Sequence, residues 1–300
     1  MRTNSTGLLL CILLTTFEAA EASGQEIWSG AESTGAHTKA LKSQYTLFNP
    51  TPDHLLRDMT TDRPDVTESP FTIDAGRIQI ETQAFGYSHS RRDADGILTR
   101  DYEIGTTNVR LGLTNFTEVN FVWQPFGIER RTGPAVSERS SGSGNVDIRG
   151  KVNLWGNDTF EKPGSTALAL LPFVSFPTDR DNGISTSGTD AGLIVPFSLQ
   201  LTDKFGFGMN SGFVSVRAEQ GNRHTEYLAS AALSYEWTGS LGSYYEIAAE
   251  FGGDDGNAVL LGTGLTYMLD DNTQLDAGIN IGVTRASDRG NPFIGISRRF

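Results

Sequence analysis

The 300-residue chain has a single cysteine, Cys11, so no intrachain disulfide can form and the stability of the fold must come from elsewhere. Basic residues are scarce as well. Against 36 Asp and Glu stand 24 Lys and Arg, giving a net charge of -12 and a pI near 4.8. No basic surface for phosphate backbones is available, which excludes nucleic acid as a partner. Long apolar runs are also lacking. Mean hydropathy is -0.28, and the longest apolar run, "GLLLCILLTTF" at 7–17, falls short of the roughly 20 residues that a membrane-spanning helix needs.

That run reads instead as the core of a secretory signal over residues 1–22. Arg2 supplies the positive start, and Ala20-Glu21-Ala22 supplies a small-x-small cleavage site. Cys11 lies inside this leader, so the exported chain carries no cysteine. Residues 23–44 read as a disordered linker.

What the chain does have is alternation. In "QLDAGINIGVTR" (274–285), Leu275, Ala277, Ile279, Ile281 and Val283 share one parity, and Asp276, Gly278, Asn280, Gly282 and Thr284 the other. Side chains two apart in a strand point to the same side, so one face is apolar and the other polar or bare. The pattern recurs from residue 76 to the end. Twelve segments are expected, at about 76–89, 98–113, 116–128, 144–155, 165–176, 189–201, 205–217, 225–238, 242–252, 257–269, 274–285 and 291–300. Short connections, such as "LTNF" at 113 and "DDNTQ" at 270, mostly interleave with long polar ones such as "ERRTGPAVSERSSGS" at 129. "NDTFEKPG" at 157 breaks that rhythm.

A soluble sandwich and a membrane barrel both alternate in this way. The segments reach the 9 to 11 residues or so that a tilted strand needs to cross a bilayer. Aromatics gather at segment ends (Trp123, Trp155, Tyr227, Tyr235, Trp237, Tyr267), as interfacial girdles require, and the strand count is even. The fold expected is therefore all-β, a twelve-stranded antiparallel transmembrane barrel over 76–300 with lipid on its apolar face. Because lipid cannot satisfy an open sheet edge, the sheet must close. The chain ends in "ISRRF", and the terminal Phe300 matches the aromatic signal read by the barrel-assembly machinery, although Arg298 stands where an aromatic is commoner.

"TDRPDVTESPFTIDAGRIQIE" (61–81) resembles the opening of the outer-membrane transporter family linked to the meta-pathway of phenol degradation. The resemblance rests on Asp62-Arg63-Pro64-Asp65, Thr67-Glu68-Ser69-Pro70 and Gly76. "GLTNFTEVNF" and "VDIRGKVNLWGND" with Lys151 extend it more loosely, and Gly144-Asn145 stands where the family usually has Gly-Asp. It implies an outer-membrane barrel with a transport role, taking up small, aromatic or apolar solutes. The opposing reading is a non-conducting structural or receptor-like barrel with a filled lumen.

Three groups of residues are candidates for function. Arg77, Glu81, Arg110, Glu118, Asp147, Arg149, Lys151, Glu226, Glu236, Glu246 and Glu250 fall on the inward parity, with basic members on early strands and acids on late ones. Such walls set a transverse field, unless the charges pair and close the lumen. "ALALLPFVSF" and "LIVPFSL" are apolar on both parities, and Leu168, Leu170, Pro172, Ile194 and Pro196 are assigned to the lumen, for packing or as a greasy track. "NPTPDHLLRDM" (49–59) reads as a short helix with Thr51 as N-cap and Leu55, Leu56 and Met59 on one face. With Asp62, Arg63 and Asp65 it makes 45–75 a segment that enters or caps the periplasmic mouth.

Catalysis and metal binding find no support. The outer-membrane phospholipase, another twelve-stranded barrel, needs a histidine paired with serine. His37, His54, His89 and His224 have no patterned partner. "GGDDGN" (252–257) lacks EF-hand spacing, so no metal or cofactor is expected.

Overall fold

The computed structural model describes residues 42–178, 184–186, 188–217, 222–253 and 256–300. The signal at 1–22 and most of the linker at 23–44 lie outside the described residues. Fourteen strand segments form one antiparallel sheet: β1 (Ile78–His89), β2 (Leu98–Thr114), β3 (Thr117–Trp123), β4 (Phe126–Thr132), β5 (Ser137–Gly142), β6 (Asn145–Trp155), β7 (Thr166–Pro177), β8 (Asp190–Gln200), β9 (Phe205–Arg217), β10 (Arg223–Thr238), β11 (Leu241–Phe251), β12 (Ala258–Asp270), β13 (Thr273–Gly282) and β14 (Asn291–Arg299). β2 pairs with both β3 and β4, β3 pairs with β6, and β4 with β5. β3 and β4 are thus two halves of one strand, as are β5 and β6, and the barrel has twelve strands. Pairing of β1 with both β14 and β2 closes it, and among the described residues only β5, paired with β4 alone, keeps a free edge.

The burial pattern inverts that of a soluble protein. Ile279, Ile281, Leu261, Leu265, Ile294 and Ile296 are 37 to 54% exposed, while Gln79, Glu81, Arg110, Glu118, Asn120 and Lys151 are buried within 2%. Closure with this polarity is possible only if the outside meets hydrocarbon. Aromatics flank the apolar band. Phe205, Tyr235 and Trp237 cluster near the short turns, with ring centroids 4.6 and 4.8 Å apart. Tyr87 and Tyr102 pair at the opposite end, 5.2 Å apart. By the ordinary arrangement of such barrels, the short-turn end is periplasmic and the long-loop end extracellular. Ile279 lies midway along β13. Ile279→Arg is therefore expected to destabilise the barrel by about 2–4 kcal/mol in lipid-vesicle unfolding, the cost of a cation at the midplane. A neutral effect would mean that lipid does not touch this face.

Four adjacent strands break their alternation along one line. β1 shifts register between Gln83 and Phe85, and β2 passes through Gly105 at φ 74°. β3 gives way to β4 at Gln124-Pro125, and β5 to β6 at Ser143-Gly144. Below the line Glu81 and Gln83 point inward; above it Gly86 and Ser88 are the buried residues and Phe85 is exposed. Gly105 supplies the left-handed backbone and Pro125 has no N–H to lose.

The structure corrects four expectations. The stretch at 129–142 is not a loop: most of it belongs to the β4–β5 hairpin, which extends the wall beyond the membrane. Strand 274–285 ends at Gly282, and the chain then turns inward at Ser287. The helix at 49–59 reduces to a single 3-10 turn, Asp53–Leu55, whose N-cap is Pro52 with no side-chain cap rather than Thr51. Finally, Leu168, Leu170 and Pro172 face outward. Their odd-numbered neighbours Ala167, Ala169 and Leu171 are the fully buried ones. Where both parities are apolar, hydrophobicity cannot choose a face. At 167 and 169 the smaller side chain takes the inside, and at 171 a leucine does, across from Ile194.

Candidate functional site

Residues 51–77 run along the inside of the barrel at its periplasmic half, residues 43–50 lie largely exposed at its mouth, and the wall is cut to receive the inner part. A Cβ on Gly112 would lie 2.2 Å from the Asp74 carbonyl, one on Gly208 3.3 Å from Thr67, and one on Gly295 2.4 Å from the Arg63 guanidinium. At Gly112 the absence of a side chain is what admits the backbone of the segment, whereas at Gly208 and Gly295 only a side chain of the segment would have to shift.

At the centre lies an ion cluster. Arg110 on β2 reaches Glu81 Oε1 at 2.9 Å, Glu118 Oε1 at 2.9 Å and Asp62 Oδ2 at 3.3 Å. Lys151 on β6 reaches Asp62 Oδ1 at 2.6 Å and lies 3.8 Å from Glu118. All five side chains are at most 5% exposed, so the group is dry. The same groups hold the segment by its backbone. Glu81 accepts from the Asp62 N–H, Glu118 accepts from the Ile73 N–H at 2.7 Å, and Arg110 donates to the Phe71 carbonyl at 2.8 Å.

The opposite wall answers with acids. Asp276 on β13 takes both Nε and an Nη of Arg63, at 3.3 and 2.7 Å, while Arg63 also lies over the Phe293 ring. Glu246 on β11 accepts from the Val66 N–H at 3.0 Å and from the Thr67 hydroxyl, whose oxygen lies 2.8 Å from the Ser230 hydroxyl and can accept its proton. Successive residues of the segment, Asp62 and Arg63, thus match walls of opposite charge. Nearer the periplasm, Lys42 and Arg57 pair with Asp74 and Asp158, and Arg299 donates to the Arg57 carbonyl.

Of the residues proposed from the sequence, Glu81, Arg110, Glu118, Lys151, Asp62, Arg63 and Glu246 meet in this network. Arg149 bridges Asp147 and Glu68, and Arg77 holds Asp53 and the Thr51 carbonyl at the mouth. Glu226 lies apart beside His224, and Glu236 is exposed near the turn after β10. Leu55, Leu56 and Met59 are only half-buried. Most buried side chains of the segment are polar, with Ile73, Ala75 and Pro70 the apolar ones. Ile194 and Pro196 do face inward, and Pro196 is fully buried. Sequence reasoning passed over Asp276, Glu68 and Asp158. Asp276 is the lone charge on the polar parity of its strand, a signal that was available. His89 points outward and stacks on Tyr87, and His54 is exposed; His37 lies outside the described residues.

Above the plug, a cavity of about 430 Å³ remains at the long-loop end. Glu68, Arg149, Asn210, Leu228, Glu250 and Asn280 are among its lining, with Val66 and Glu68 as its floor. The segment does not itself cross the membrane, and two of its carboxyls are shifted in opposite directions. Burial opposes ionisation of Asp62, but the charges of Arg110 and Lys151 outweigh it and hold the carboxyl at about 2. Burial, and next the Asp62 charge, push Glu68 up to about 7 in spite of Arg149. The docked segment therefore binds the Glu68 proton more tightly than a released one would. That contribution is complete below the ordinary value of 4.5 and is lost as pH rises through about 7. Asp62 acts the other way, and only below 3.8. Docking is thus expected to weaken from pH 5 to pH 8, read as faster proteolysis within the segment. Burial, and next the Glu246 charge, also push the Asp65 carboxyl well above its ordinary value, so Glu68→Gln should remove part of that difference and Glu68→Gln/Asp65→Asn most of it.

A closed, lipid-facing barrel of twelve strands whose interior charges grip the chain's own N-terminal segment is an outer-membrane barrel of porin-like architecture. The chain belongs to the family described as "Putative MetA-pathway of phenol degradation", whose model matches residues 61–300. That span includes the part of the segment carrying Asp62, Arg63 and Glu68. No curated protein matches the chain. Among solved structures, an outer membrane channel from Pseudomonas putida F1 is similar at 13% identity and a TM-score of 0.62, covering 80% of this chain and all of that one. The translocator domain of the autotransporter NalP from Neisseria meningitidis gives 12% identity and a TM-score of 0.47, over 90% of this chain and 96% of that one. The NanC porin gives 13% and 0.45, over 73% and 98%. At these identities the likeness is one of fold.

Proposed function

We propose that this protein is an outer-membrane channel for passive uptake of small solutes, and that residues 42–75 are its gate. The observation that carries this is the way the segment is held: by ion pairs and hydrogen bonds to two walls, with no covalent link, below a cavity open to the long-loop side. On release each of these charged and polar groups can be hydrated, which returns part of the cost of separating the pairs. The cavity sets Ile194, Leu228 and Leu260 beside Asn280 and Arg149, a lining suited to a small aromatic or apolar solute with one polar handle. The family's description, which names phenol degradation, fits that class. Complete burial of the Arg110 cluster favours the second reading, a structural barrel with a permanently filled lumen. At the rim, Phe300 points outward, 59% exposed, with its N–H on the Ile78 carbonyl. In this proposal it is the group that the barrel-assembly machinery reads.

A lock separates gate from filler. Thr67 and Ser230 hydroxyls lie 2.8 Å apart, and the only native cysteine is Cys11, 56 positions before Thr67 in the sequence. In Thr67→Cys/Ser230→Cys, oxidation is expected to abolish channel events in planar bilayers and reductant to restore them. Conductance that ignores the lock would mean that solutes pass without moving the segment. No events in either state would favour the filled barrel.

A further inference from the structure

At the extracellular rim the register places four basic side chains abreast: His89 opposite Arg100, Arg100 opposite Arg130, and Arg130 opposite Arg139. Because alternation inverts at the kink line, this row faces outward, away from the lumen. The row beneath it is Tyr87, Tyr102 and Ile128, and beneath that lie Phe85, Ile104 and Phe126, each 41 to 43% exposed. Along the outer surface the order is thus apolar, aromatic, basic, which is the depth profile of hydrocarbon, interface and headgroup.

Acids stay on the other face. Asp101, Glu103, Glu129 and Glu138 take the inward parity, where Glu138 pairs with Arg131 at 3.1 Å. Among the described residues no carboxylate pairs with Arg100, Arg130 or Arg139. Arg100 donates to the Thr132 hydroxyl at 3.3 Å, and Arg130 lies over the Tyr102 ring. Like charges directly opposite one another across strands destabilise a sheet. Three in a row, in a chain of net charge -12, make sense if an anion from outside answers them.

We propose that this row is a binding site for the phosphorylated sugar headgroup of an outer-leaflet glycolipid. Strands about 4.8 Å apart place the three guanidinium groups across roughly 10 Å, the scale of one headgroup. Arginine's fork suits phosphate oxygens, and the side chains lie one row above the aromatic belt, where such a headgroup sits. Their outward direction excludes a solute in transit.

The test is native mass spectrometry of the detergent-solubilised full chain titrated with diphosphorylated lipid A, with the same lipid dephosphorylated, and with inorganic phosphate as competitor. The phosphorylated lipid should bind on the order of tenfold more tightly or better, since charge-assisted hydrogen bonds are lost without the phosphates. Arg100→Gln/Arg130→Gln/Arg139→Gln should bring it to the dephosphorylated level, the triple Lys variant should keep most of the binding, and Arg131→Gln should change nothing. Equal binding of the two lipids by the wild-type chain overturns the proposal whether or not the triple variant folds. Displacement by inorganic phosphate at matching concentration also overturns it, in favour of a free-phosphate site.

Discussion

A chain lacking residues 42–75 is expected to conduct continuously in a planar bilayer, with unitary steps several-fold larger than any seen for the full-length protein. The deletion removes every group that crosses the lumen between β2 and β13. Asp62 no longer bridges to Lys151 and Arg110, and Arg63 no longer reaches Asp276. Twelve strands enclose an interior wider than the eight that side chains alone fill, so the emptied lumen holds water rather than collapsing. Arg110, Glu81 and Glu118 remain on neighbouring strands and still pair with one another. The barrel itself should therefore assemble and show normal heat-modifiable migration. Water then meets Arg149 and Lys151 on one side and Glu246 and Asp276 on the other, and the transverse field acts on whatever passes. A folded deletion variant that shows no conductance would end the channel reading.

Replacing Arg110 should be the most damaging single change. Its side chain is fully buried and serves Glu81, Glu118, Asp62 and the Phe71 carbonyl at once. Arg110→Met would leave three buried carboxylates with Lys151 as their only cation. Removing one partner of a buried ionic group costs about 3–5 kcal/mol, because the charges left behind stay desolvated. Both the barrel wall and the docked segment should share that loss. The guanidinium midpoint in lipid vesicles is expected to fall, and protease should cut within 60–75 sooner than in the wild-type chain. Arg110→Lys should rescue only in part, since a single ammonium cannot serve two carboxylates and a carbonyl in the same geometry. The combination Arg110→Met/Glu81→Gln/Glu118→Gln should recover more than Arg110→Lys. Wild-type stability and protection in Arg110→Met would show that the cluster does not hold the segment.

The two variants probe features that were legible to different degrees. Arg110, Glu118 and Lys151 could be assigned inward because each strand alternates cleanly around them. That Asp62 would join them could not be read, since 89 residues separate it from Lys151 and 213 separate Arg63 from Asp276. The "DRPD" block was recognisable only through family resemblance. The apolar helix expected at 49–59 failed although Leu55, Leu56, Arg57 and Met59 are good helix formers, because so short a helix is marginal by itself while the wall offers backbone partners to an extended chain. The outward row of Arg100, Arg130 and Arg139 was hidden by the kink. Counting parity straight through Gly105 sends the upper half of β2 to the wrong side.

Local pattern alone settled the number of strands, the apolar exterior and the need for closure. Period-two alternation and the cost of unpaired backbone in hydrocarbon act within each strand and require no partner to be known. Only the folded barrel decided what fills the lumen, which face the all-apolar strand β7 presents to it, and where the wall inverts. Those depend on closure, which brings β1 against β14 and sets Asp62 between β2 and β6, and such contacts carry no trace in the spacing of neighbouring residues.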